Sequence, residues 1–227
     1  MKYSIIIPVF NAERMIDACI ESVRLAVADC EIIVSDGGST DRTLKIIEGK
    51  NVTVVSSAKG RGIQLNEGAK RATGEILFFL HADTLVTKEV FPAIEKLFQD
   101  NKVQMAKCLL GFDQKNWLLS GYSQFAKIES LWTSFGDQGI IVRRKFFEEI
   151  CGFPDWPLLE DVNLFQKGRK LTKIHTRPAQ VITSAERFIR NGLVRQQLFN
   201  ARIIFKYLCG VSPERLAVEY ENYRRRK

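Results

Sequence analysis

The segment Gly74-Glu75-Ile76-Leu77-Phe78-Phe79-Leu80-His81-Ala82-Asp83-Thr84 constrains this chain more than any other. Five consecutive apolar residues, Ile76 to Leu80, are too few to cross a membrane and too uniform for a strand with one wet face. They predict a central parallel strand covered on both sides. Polar residues begin where that strand should end. In an open parallel sheet, ligands bind beyond the carboxyl ends of the strands, which is where His81 and Asp83 would be delivered. A carboxylate there can anchor a divalent cation, and the cation can hold a diphosphate.

The segments on either side supply a sheet for that strand. Ser4 to Phe10 reads as a buried strand stopped by proline, with Asn11 capping a helix whose apolar face is Met15, Cys19, Val23 and Ala26. Glu31 to Ser35 is a second strand. It runs into the turn Asp36-Gly37-Gly38-Ser39-Thr40-Asp41, whose hydroxyl and carboxylate can cap a helix through Thr43 to Ile47. Val52 to Val55 gives a third strand, Lys59 to Gly62 a loop, and Ile63 to Ala72 a third helix. This alternation predicts an α/β domain with a mostly parallel sheet and helices on both faces. Thr87 can cap a helix through Phe98. Further strands are expected at Gln104 to Phe112, Gly139 to Val142 and Ala179 to Thr183, with a largely helical aromatic segment from Trp117 to Phe135. Short helices follow at Phe146 to Ile150 and after Glu160-Asp161, and two terminal helices at Phe188 to Leu208 and Pro213 to Tyr223.

A chain of 227 residues fits a single domain. Its five cysteines are scattered, with no Cys-x-x-Cys pair, which fits buried thiols better than disulfides or a zinc site. With no signal-peptide pattern after Met1 and no long apolar run, a cytoplasmic protein is expected. The net charge of +8 favours anionic partners. It thickens toward the end, from Arg187 and Arg190 to the closing Arg224-Arg225-Arg226-Lys227. No RNA-binding aromatic motif, zinc-finger spacing or helix-turn-helix accompanies it, so nucleic acid is not the expected partner. The basic terminal helices either pack on the domain or lie at a membrane interface held by anionic lipid.

Taken with His81-Ala82-Asp83, the turn Asp36 to Asp41 resembles a family-two nucleotide-sugar glycosyltransferase of the GT-A type, in a small bacterial branch. Pro8-Val9-Phe10-Asn11, the segment from Arg61 to Gly68, Gly136-Asp137-Gln138-Gly139, and Gly152-Phe153-Pro154 ahead of Glu160-Asp161 carry the same resemblance. It implies a Rossmann-like GT-A domain in three parts: a nucleotide-binding half (1–100), an acceptor-binding half (101–184) and a basic helical extension (185–227).

The resemblance also implies roles. Pro8, Phe10, Asp36, Arg61, His81, Ala82 and Asp83 would meet the nucleotide-sugar, of the UDP or GDP type. Asp83 matches the second acid of the Asp-x-Asp motif that grips a manganese or magnesium ion. His81 stands where the first acid is usual, either as a ligand or as a neighbour that orients one. Asp161 would be the base that inverting transfer requires at the acceptor hydroxyl. Asp137, Gln138, Trp156, Glu160 and Arg187 would lie near the acceptor or the phosphates, and the acceptor could be lipid-linked.

Plainer accounts exist for several of these residues. Asp36 before glycine forms turns, Ser39 and Asp41 are explained by capping, Arg61 can be a solvated loop cation, and two acids at a helix start complement its dipole. A nucleotidyltransferase would share the sheet but needs a glycine-rich basic loop after the first strand, which Pro8-Val9-Phe10-Asn11 is not. A non-catalytic binding domain of the same fold would have no need of both Asp83 and Asp161.

Overall fold

Strand β1 (Tyr3–Val9) is enclosed on both faces because its three successive isoleucines leave no polar side to turn outward. The computed structural model describes residues 1–130 and 132–225, with all their side chains except those of Arg177, Pro178, Arg187, Arg224 and Arg225. β1 pairs in parallel with β2 (Cys30–Asp36) and β4 (Ile76–Phe79), and β3 (Thr53–Ser56) extends β2 in the same sense. Helices α1 (Ile16–Ala26), α2 (Thr43–Ile47) and α3 (Arg61–Arg71) make the connections.

After β4 come β5 (Thr84–Val86), α4 (Val90–Phe98), β6 (Met105–Phe112) and α5 (Trp117–Phe125). A 3-10 turn (Gly136–Gln138), β7 (Ile140–Arg143), α6 (Arg144–Glu149), α7 (Glu160–Leu171) and β8 (Ile174–Thr183) follow. The chain closes with α8 (Glu186–Asn191), α9 (Leu193–Leu208) and α10 (Pro213–Arg225). The eight strands lie in the order β3-β2-β1-β4-β7-β6-β8-β5. β7 runs against both its neighbours and β5 against β8. The sheet is thus mostly parallel, as expected, but β4 has one parallel and one antiparallel neighbour rather than two parallel ones.

The pleat divides the core. Ile76 and Phe78 point to one side, with Ile16, Ile20 and Val23 of α1 and Phe91, Ile94 and Phe98 of α4. Leu77 and Phe79 point to the other, with Leu65 of α3, Phe146 and Phe147 of α6 and Phe165 of α7. Phe79 packs edge-on against Phe153 at 5.0 Å, which anchors the loop leading to α7.

Three local expectations are corrected. Asn11 does not cap α1, which starts at Ile16; it sits at φ 53° and its side chain accepts from the Thr40 N–H at 2.8 Å, tying the β1 loop to the β2 loop. The buried face of α1 is Ile16, Cys19, Ile20 and Val23, with Ala26 packed half-buried at its end; Met15 precedes the helix. The terminal helix breaks at Gly192, where φ is 78°. α9 and α10 pack on the start of α7 through Ile203, Ile204 and Leu216 against Leu159 and Val162. Two α9 cations are taken up internally, since Arg202 and Lys206 both pair with Glu219 of α10. All five cysteines are free thiols.

Candidate active site

The carboxyl ends of β1, β2 and β4 open on one edge of the sheet. Between the first two, the buried Gln64 amide donates to the Val9 carbonyl at 2.7 Å and the Ser35 carbonyl at 2.8 Å, fixing the splay of the two loops. Pro8 sits within β1, paired with Ser35. Phe10 emerges half-exposed at its end, with Lys59 Nζ 3.9 Å above the ring centre. Asp36 is turned inward: its carboxylate accepts the backbone N–H groups of Gly38 and Ser39 at 3.1 Å. It therefore shapes the loop beneath Phe10. Asp41 accepts from the Glu13 and Thr43 backbone and Ser39 Oγ from Asn11 N–H, so both tie the β1 and β2 loops together; the capping expected of them is not what they do, since α2 begins after Arg42 with no side-chain cap.

Beside this mouth lies a cavity of about 310 Å³. Asp83 and His81, just past β4, line it together with Asp161 on the first turn of α7, Asp137 of the 3-10 turn and Arg61 at the start of α3. Two acids far apart in the chain thus face one space.

Asp161 is held closely. Leu159, in the left-handed region at φ 66°, turns the chain into α7. One Asp161 oxygen, Oδ2, then accepts the Gly136 N–H at 2.7 Å, and Oδ1 accepts the Val162 N–H at 2.7 Å. Gly136 has to be small: a Cβ there would lie 3.0 Å from His81 Nε2 and 3.1 Å from Asp161 Oδ2. Imidazole and carboxylate therefore flank the same point.

The loop before α7 is drawn onto α3 by backbone contacts. Asn66 brackets Phe153, donating to its carbonyl at 2.9 Å and accepting its N–H at 3.0 Å. A Cβ on Gly62 would meet the Pro154 carbonyl at 2.6 Å, so that approach needs glycine. It brings Arg61 Nε onto Glu160 Oε1 in an ion pair and a second Arg61 nitrogen to 3.7 Å from Asp161 Oδ2. Glu160 is enclosed, at 1% exposure. Burial pushes its carboxyl above the usual range, Arg61 opposes that rise, and Asp161 adds to it.

The other expected residues are placed differently. Ala82 is half-buried against the core. Gln138 is fully enclosed and donates to the Thr133 carbonyl. Trp156 packs edge-on against Tyr207 of α9, 6.1 Å between ring centres. Pro8, Phe10, Asp36, Ala82, Gln138, Trp156 and Glu160 are not among the residues lining the cavity. The Arg187 side chain lies outside the described residues. Sequence reasoning missed the far wall, where Tyr122, Glu186, Arg190, Asn200, Ile203 and Tyr220 line the same space. The one signal was Asn200, Ile203 and Ile204 falling at helical spacing on one face of α9.

Among the described residues, no group of three His, Cys, Asp or Glu side chains could hold a metal ion alone. A magnesium-like cation that takes one or two protein ligands, with phosphate oxygens and water completing its shell, does not require one. Asp83 beside His81 fits that donor set. So does the charge balance: Asp83, Asp137, Asp161 and Glu186 line the cavity against Arg61 and Arg190, and Arg61 is already paired with Glu160.

A model of the family described as Glycosyl transferase family 2 matches residues 4–155, ending before Asp161. Poly(ribitol-phosphate) beta-glucosyltransferase of Bacillus spizizenii is 32% identical over 122 residues, 49% of this chain and 19% of that protein. The chain thus spans about a fifth of that relative's length. In structure it is similar to the mannosyltransferase PcManGT of Pyrobaculum calidifontis, solved with GDP-Man and Mn2+: TM-score 0.69, 18% identity, 97% of this chain and 69% of that one. S. aureus TarS in complex with UDP-GlcNAc aligns at TM-score 0.64 with 20% identity, covering 81% of this chain and 58% of that one. At these identities the two structural likenesses establish the fold alone.

Proposed function

Because the chain belongs to glycosyl transferase family 2, we propose that it moves a sugar from a nucleoside-diphosphate sugar of the UDP or GDP type to a hydroxyl acceptor, with inversion at the anomeric carbon. The observation that carries this reading is that Asp83 and Asp161 line one cavity. Residues 1–100 would hold the donor and residues 101–184 the acceptor, with 185–227 closing the space over both. No helix among the described residues is long and apolar enough to cross a membrane.

Asp161 acts as the base. The acceptor oxygen bonds to the anomeric carbon as the bond from that carbon to the diphosphate oxygen breaks. The electron pair leaves with the diphosphate, and the hydroxyl proton passes to the Asp161 carboxylate. Gly136 N–H and Val162 N–H hold that carboxylate in one orientation throughout. Arg61, with its Nε committed to Glu160, keeps other guanidinium hydrogens at the cavity wall to meet a diphosphate. A manganese or magnesium ion held by Asp83, with His81 beside it, would supply charge neutralisation for the leaving diphosphate.

Asp161→Asn tests the assignment. Loss of a general base lowers turnover roughly 10²- to 10⁴-fold. Diphosphate release should fall by that order, while titration calorimetry with UDP or GDP and manganese finds donor affinity unchanged. Full turnover in a variant that still binds nucleotide would remove Asp161 as the base. Absence of any nucleotide binding by the native chain would favour a partner-binding domain of the same fold.

A further inference from the structure

A second cavity adjoins the first, of about 380 Å³, and it is almost wholly apolar. α5 supplies Leu119 and Phe125, the following segment Trp132, and α9 Val194 and Leu198. It opens to solvent along one side, so it is a surface groove rather than a gap in core packing. Its mouth is also unusual. Phe125, Trp132, Val194 and Leu198 are 57%, 45%, 57% and 67% exposed around one opening. Single exposed apolar side chains are ordinary, but a contiguous set rimming a concave apolar space marks a binding site.

What the pocket takes follows from what it opens into. Tyr122, Phe135, Phe188, Asn200 and Ile204 line both this cavity and the one that contains Asp83 and Asp161. The two spaces therefore adjoin along these five side chains, so a ligand whose chain lies in the apolar one has its head beside the reaction cavity. A protein surface docked at the mouth would fill the rim but not the chamber. On the reading that Asp161 deprotonates an acceptor hydroxyl, we propose that the apolar chamber between α5 and α9 binds the hydrocarbon tail of the acceptor. The acceptor class is an amphiphile, a hydroxyl-bearing head on an alkyl chain, with the head at Asp161 and the chain lying between Leu119, Phe125 and Leu198.

The test uses the full chain with n-alkyl β-D-glucosides from butyl to decyl, all below their micelle concentrations, in the presence of UDP and manganese. Affinity should tighten roughly fourfold per added methylene, the transfer free energy of one buried CH2, until the chamber is filled. Leu198→Glu places a charge at the mouth on a residue exposed enough to leave folding intact. It should cost the decyl glucoside at least tenfold more in affinity than the butyl glucoside, while leaving UDP binding unchanged. Affinity that ignores chain length, or a Leu198→Glu variant that binds every homologue as the native chain does, overturns the proposal. Asp161→Asn keeps the two readings apart. It should retain the chain-length dependence while losing transfer; if transfer is lost but the native chain shows no such dependence, the tail site fails and the base assignment stands.

Discussion

Replacing Gly136 by alanine perturbs the site by one methyl group whose position is already known. That methyl would sit 3.0 Å from His81 Nε2 and 3.1 Å from Asp161 Oδ2, with no positive φ at Gly136 to complicate the change. Nonbonded carbon atoms settle at about 3.5–4.0 Å, so one or both groups must retreat by a few tenths of an ångström. Asp161 is pinned through both oxygens, and the backbone that carries His81 is held at its carbonyl by Thr84 N–H at 3.1 Å and the Cys19 thiol at 3.5 Å. The methyl therefore presses on the Asp161 carboxylate and on the imidazole together.

Misplacing a reacting group by about 1 Å can cost on the order of 10²-fold in rate. Taken as proportional in the logarithm, a shift of about 0.3–0.5 Å predicts a fall in kcat of roughly four- to tenfold. The packing penalty of one unwelcome methyl, about 1 kcal/mol, should lower Tm by about 2–4 °C. Diphosphate release at saturating donor reads the first quantity and a thermal melt the second. Gly121→Ala is the control: its Cβ would meet nothing within 4 Å, and alanine suits the helix α5 better than glycine, so Tm should hold or rise. Turnover in Gly136→Ala within twofold of native, with Tm lowered as expected, would mean that the spacing of His81 and Asp161 does not govern the reaction.

Two predictions concern buried charge. Arg61→Ala removes the guanidinium that opposes the burial-raised carboxyl of Glu160, so the native state of the variant holds that proton more tightly than the unfolded chain does. Its stability then falls as pH rises from the unfolded carboxyl range upward, and Tm at pH 5.5 should exceed Tm at pH 8 by more than in the native chain. Equal pH dependence in the two proteins would refute the pairing. Lys107, fully enclosed on β6, donates to the Ala126, Ile128 and Thr133 carbonyls, and burial pulls its ammonium down to about 8. The unfolded chain binds that proton up to about 10.4, so the contribution is present above that value and is lost as pH falls through 8, about 3 kcal/mol in all. Denaturant unfolding across this window should show the slope in the difference between the native chain and Lys107→Met, in which the buried thiols common to both cancel.

Much of this was legible because the sheet's central strands are unambiguous. Ile5 to Ile7 and Ile76 to Leu80 admit no exposed face, and a strand followed at once by His81 and Asp83 locates one end of the site. β5 left no trace because Thr84–Val86 is three residues long and its single partner, β8, lies almost a hundred positions on in the sequence. The antiparallel run of β7 was hidden for a related reason: direction is set by where the long excursion through α5 returns the chain, not by the residues of β7. Lys107 could have been noticed as a lone cation inside an apolar strand. Its role could not, since its three carbonyl partners are distributed across the turn after α5. Gln64 and Asn66, beyond Arg61 on α3, hold backbone together, because buried amides find the nearest carbonyl whatever their neighbours in sequence.

The histidine at position 81 is accounted for by the same geometry. His81 Nε2 and Asp161 Oδ2 flank Gly136, while Asp83, Asp137 and Glu186 line the surrounding cavity. A carboxylate in place of the imidazole would be a further negative charge in a space whose two guanidiniums include one committed to Glu160. Like charges crowded into one confined site repel one another, and Asp161 is among the acids that would be so crowded. An imidazole adds no negative charge and still offers a nitrogen to a cation or to a phosphate oxygen. The imidazole at position 81 thus accords with how close α7 brings Asp161, the proposed base, to the end of β4.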